Sequence, residues 1–221
     1  MNRLCHACLL LILCLSATFL FEKDAQAQCA ARDVMRHHPK FMGGSSDPAP
    51  PPIASAAGTG IWRSIQVGTF ANKGDLYGAL EDADCGIGDT AEEILVAPGF
   101  ALSRTTTKLD LVAVSVAELG MTRETISLKD IYARAQKLGF VLPAAEVGPQ
   151  LRLQYFDQPI GEFLNIAMAP VKMRSGGFSI FNVVNGGAGL LLLGEEVGAD
   201  NQFYPLSRFV FERPTNVAGT H

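Results

Sequence analysis

Apolar positions recur at helical spacing early in the chain and alternate by twos later on. Ile131, Ala135 and Leu138 fall on one face of a helix. Ser127 is placed to accept a hydrogen bond from a first-turn amide, and Asp130 faces the positive helix end. Lys137 lies in the last turn, and Gly139 is placed to end the helix at positive φ. A second helix is expected over residues 75–83, where Leu76, Ala79, Leu80 and Ala83 share a face. A short strand near residues 61–67 precedes it. Residues 109–116 are apolar on both faces, the pattern of a central strand covered on both sides.

Beyond residue 149 the period changes. Leu151, Leu153 and Tyr155 alternate with Gln150, Arg152 and Gln154. This predicts a strand with one apolar face and one polar face, and Pro149 fits its first position, where no ladder donor is needed. Residues 161–171 predict another strand, with Leu164, Ile166 and Met168 on one face. Residues 178–184 and 189–193 flank Asn185-Gly186-Gly187-Ala188, a hairpin turn. Residues 208–213 close the set with Phe209 and Phe211 on one face. Helices early and strands late predict an α+β fold: a single domain with a mostly antiparallel sheet backed by a few helices.

Gly86-Ile87-Gly88-Asp89-Thr90-Ala91 has the look of a dinucleotide loop. That motif needs a strand before the glycines, whereas the pattern here places a helix there. The run therefore reads as a turn, with Asp89 capping a short helix over residues 90–96. No cofactor is expected.

The domain layout follows composition. Residues 1–27 read as a secretory signal peptide: Arg3, an apolar run over residues 9–20, and Ala25-Gln26-Ala27 as the cleavage site. Residues 28–60, rich in Pro, Gly and Ser, read as a linker. Residues 61–214 are the globular domain and residues 215–221 a C-terminal tail. The expected location is periplasmic or secreted, with no stable membrane insertion after cleavage.

The chain of 221 residues carries a formal net charge of −4. Loss of the leader removes Arg3, Lys23, Glu22 and Asp24, two charges of each sign, so the mature chain keeps −4. Such a domain, with no basic run, has no electrostatic reason to bind nucleic acid. Cys29 and Cys85 survive cleavage, either bridged in an oxidising compartment or as two free thiols. His37-His38 is the one histidine pair, and no third ligand is placed beside it, so no metal site is expected. Residues 62–214 contain no histidine, which removes histidine-based triads from the domain.

The runs AEVGPQLRLQY at residues 145–155 and DQPIGEF at 157–163 resemble a family of small bacterial proteins of unknown function. DLVAVSVAELG at 110–120, KDIYARAQKLG at 129–139 and RFVFERP at 208–214 fit the same family. The resemblance spans residues 62–214 and implies no activity. The family resembles plain cytoplasmic domains, and this chain departs from it by its leader.

One constellation remains once turns and core are set aside. Glu146, Gln150, Arg152 and Gln154 lie on or just before the expected strand, and Asp157, Gln158 and Glu162 follow it. Arg152 can hold a carboxylate or phosphate with two parallel hydrogen bonds. Two readings stand side by side. In one, the polar face around Arg152 makes the chain an exported module that binds an envelope or extracellular ligand or protein. In the other, Glu146 and Glu162 form the acid and base of an envelope glycan hydrolase.

Overall fold

The computed structural model describes residues 51–187, 189–198 and 201–214. The expected signal peptide and most of the expected linker, with Cys29 and His37-His38, and the tail beyond Pro214 lie outside the described residues. An eight-stranded mixed sheet forms the centre, in the order β1-β3-β10-β5-β7-β8-β2, with β6 pairing alongside β7. β1 is Arg63–Val67, β2 Gly86–Ile87, β3 Thr107–Ser115, β5 Phe163–Ile166, β6 Val171–Lys172, β7 Phe178–Asn185, β8 Leu190–Glu196 and β10 Arg208–Glu212. The β10–β5 and β2–β8 pairs are parallel and the rest antiparallel. A separate two-stranded ladder joins β4, Ile126–Ser127, to β9, Gln202–Phe203. The helices are α1 Lys73–Asp82, α2 Asp89–Val96, α3 Leu128–Lys137 and α4 Val147–Gln154. This is the expected α+β class. No helix among the described residues is long and apolar enough to cross a membrane.

Several elements fold as their residues dictate. Ser127 accepts from the Asp130 amide at 3.2 Å and starts α3; Ile131 and Ala135 are fully buried, and Gly139 ends the run at φ +90°. Leu76 and Leu80 bury one side of α1. Phe209 and Phe211 share a face of β10, where they meet Tyr132, Phe203 and Phe140 around α3. Val210 and the β7 residues Phe181 and Val183 point the other way. There α4 lies on the sheet so closely that a Cβ on Gly148 would come within 2.7 Å of the Phe181 ring.

Four expectations change. Residues 147–154 form a helix, not a strand. Val147, Leu151 and Tyr155 recur four residues apart and are all buried, so the helical period overrode the alternation of twos. Pro149 is tolerated because first-turn amides need no partner in the helix. The strand expected over residues 161–171 is broken into β5 and β6, with residues 167–170 between them; Pro170 lacks a donor for a continuous ladder. Gly86–Ile87 is a strand beside β8 rather than a turn, and the Gly88 amide donates to Leu192 O at 3.0 Å, so this run is spent on the sheet. Finally, packing begins before residue 61. Ile53 N donates to Glu118 O at 2.8 Å, Ala56 N donates to Leu138 O at 2.7 Å, and Ala56 is fully buried. A small side chain at Ala56 lets this stretch lie flat on the turn after α3.

Candidate functional site

α4 divides the singled-out residues into two groups. Glu146, Gln150 and Gln154 recur every fourth residue and form one row along the helix. Glu146 accepts from the amides of Gly68 and Ser103, both at 2.7 Å. Gln150 Nε2 donates to Thr69 Oγ1 at 2.7 Å and to Glu146 Oε1 at 3.2 Å. Gln154 Oε1 accepts from Gln66 N at 2.9 Å, while its Nε2 donates to Gln66 O at 2.8 Å. The row thus bonds α4 to β1, the last strand of the sheet, and to the segment after it. Glu146 and Gln150 are buried.

Arg152 lies on another side of the helix and is fully buried, which corrects its expected place on a solvated face. Its guanidinium donates to Gln158 Oε1, to Tyr155 O, and to Val184 O at 3.3 Å. No carboxylate is within ion-pair distance of it among the described residues. Burial lowers its pKa, and the neighbouring Cys85 thiol opposes that shift. Cys85 is a buried free thiol whose own pKa is pushed up by burial and pulled down by Arg152.

These bonds carry a loop. Gln158 is buried, and its Nε2 donates to Val183 O at 3.0 Å and Glu162 O at 3.2 Å. Asn185 Nδ2 donates to Gln158 O at 2.7 Å and Asn185 O accepts from Gly161 N at 2.7 Å. Residues 155–162 are therefore held from beneath by Arg152, Gln158 and Asn185. At one flank Arg63 pairs with Asp157 at 2.9 Å and lies 4.1 Å over the Tyr155 ring. Trp62 meets the same ring edge-on at 5.1 Å. Tyr155 donates to Glu162 at 2.7 Å; burial first, then this bond, pushes its pKa up to about 12. Arg208 pairs with Glu162 from the other side. On the outer surface of the loop Phe156 is 56 % exposed and Ile160 is 80 % exposed.

The structure therefore does not bring all the expected site residues onto one open face. Glu146 precedes α4 and bonds the amides of Gly68 and Ser103, whereas Glu162 follows the loop beyond the helix and bonds Tyr155 and Arg208. Each carboxylate is already bonded to protein groups. Phe156 and Ile160 went unnoticed in the sequence. Their signal was present: two large apolar residues flank Asp157-Gln158-Pro159, a turn-forming run between two regular elements. No family model matches this chain, and no curated protein or solved structure matches it either.

Proposed function

We propose that this chain is an exported binding module, not an enzyme, and that it engages a protein partner through residues 155–162. The observation that carries this reading is the contrast within the loop. Its backbone is fixed by buried Arg152 and Gln158, yet it offers Phe156 and Ile160 to solvent. Water-facing apolar side chains on a loop gain nothing from the fold itself. Held in place in advance, they lose little freedom when they enter a pocket on a partner. Asp157 and Arg63 add a charged rim beside them. Export rests on the leader pattern of residues 1–27, and the resemblance to the small bacterial family rests on the motifs quoted above.

The test is retention of envelope proteins by the immobilised mature domain, repeated with Ile160→Asp and Phe156→Ala. The reading expects one discrete partner that both variants lose by roughly tenfold or more, while their melting temperatures stay at the wild-type value. Equal retention by both variants would remove the loop as the binding surface. The hydrolase reading has less support: Glu146 is buried, and both Glu146 and Glu162 are bonded to protein groups.

A further inference from the structure

Away from the loop, a groove of about 380 Å³ opens where α3 meets the ends of β7 and β8. Leu128, Lys129 and Tyr132 line one side, and Pro170, Phe178 and Val197 the other. The volume lies within the range of small-ligand sites. The ladder itself makes one wall apolar: Val197 N donates to Phe178 O at 2.6 Å, which sets the two side chains next to each other. Phe178 is 46 % exposed, a ring that the core does not cover. The Tyr132 hydroxyl is spent on Met168 O at 2.9 Å, so the ring is what that residue offers the groove.

Lys129 is the one charged residue in this lining. It is exposed and has no ion-pair partner among the described residues. The acid next to it on α3, Asp130, pairs with Arg123 at 3.5 Å instead. A second lysine stands on the same side of the sheet. Lys172 is paired with Phe178 in the β6–β7 register, so both side chains leave the same face, and Lys172 has no ion-pair partner among the described residues either. The two carboxylates nearest in the chain are not in the lining. Glu195 accepts from buried Asn182 at 3.3 Å, and Glu196 lines an adjoining hollow of about 350 Å³ that shares Phe178 and Val197. An apolar groove with an unpaired ammonium at its exposed rim suits a ligand that ends in one anionic group. The chain leaves water in the groove while the head keeps its hydration at the rim. An ammonium has three rotatable donors and asks no fixed geometry of a carboxylate.

We propose that this groove binds the anion of a free medium-chain fatty acid, with the carboxylate on Lys129 and the chain between Tyr132, Phe178 and Val197. Glu196 in the adjoining hollow disfavours a second carboxylate at the far end of the ligand.

The test is calorimetric titration of the full chain at neutral pH with octanoate, octanol, octylamine and octanedioate, each below the concentration at which it self-associates. Octanoate should bind roughly fivefold or more tightly than any of the others. Lys129→Gln should bring octanoate down to the level of octanol, and Phe178→Ala should weaken both, in variants that still melt cooperatively. No binding of octanoate, equal binding of octanoate and octanol, or a preference for octanoate that survives Lys129→Gln would overturn the proposal. A short peptide ending in a free leucine carboxylate tests the other source of this chemistry. Binding as tight as that of octanoate would overturn the assignment to a fatty acid, and binding weaker by roughly fivefold or more would support it.

Discussion

Gln154 and Gln66 exchange two hydrogen bonds, of 2.9 and 2.8 Å, between a side-chain amide on α4 and the backbone of β1. β1 ends the sheet, so without this partner the Gln66 N–H and C=O would face outward unpaired. The carboxamide stands where a neighbouring strand would stand and blunts the edge. Gln154→Ala should cost about 1 kcal/mol, since net hydrogen bonds at an accessible position are worth that order. Urea unfolding checks this. Gln154→Glu should be no better than the alanine change, because a carboxylate cannot donate to Gln66 O.

Arg152→Ala should be far more damaging. It leaves Gln158 Oε1 and two carbonyls without their donor and opens a cavity under the loop. A loss on the order of 3 kcal/mol is expected from stranded buried acceptors together with lost packing. Leu153 is only partly buried, so Leu153→Ala should cost less than Arg152→Ala. Denaturant midpoints of the two variants rank them directly.

Both results bear on how much could be read from the chain. Ser127, Ile131, Ala135 and Gly139 mark a helix by rules local to a dozen residues, and α3 obeys them. Phe209 and Phe211, or Asn185 and the glycines after it, are equally local signals. Residues 147–155 carry two periods at once. Leu151, Leu153 and Tyr155 fit a strand, while Val147, Leu151 and Tyr155 fit a helix, and only packing against Phe181 decides between them. Burial of Arg152 was not legible at all. It depends on carbonyls of Tyr155 and Val184 that converge only in the folded chain.

Stability should depend on pH through Glu195. Burial pushes its carboxyl above the ordinary range, against a smaller opposing effect of the Asn182 hydrogen bond. The folded value exceeds the unfolded one, so the contribution is complete below the ordinary carboxylate range and is lost as pH rises through the raised value. Glu212 is shifted the same way by burial, so comparison with Glu195→Gln isolates the one group. The variant should be more stable than wild type at about pH 8, and the difference should shrink toward about pH 4.

A chain beginning at Gly60 should be less stable than one beginning at Pro51. It loses buried Ala56, partly buried Ile53 and their backbone bonds to Leu138 and Glu118. A loss on the order of 2 kcal/mol is expected from the apolar area alone. Thermal melting of the two chains measures it.

The central claim is that residues 155–162 meet a partner protein. Its most direct measurement is site-specific photo-crosslinking in cells exporting the full chain, with the photoreactive residue at Ile160 and, as control, at exposed Glu81 of α1. The account predicts one discrete adduct from position 160 that is absent from position 81. No adduct at 160, or the same adducts from both positions, would contradict it.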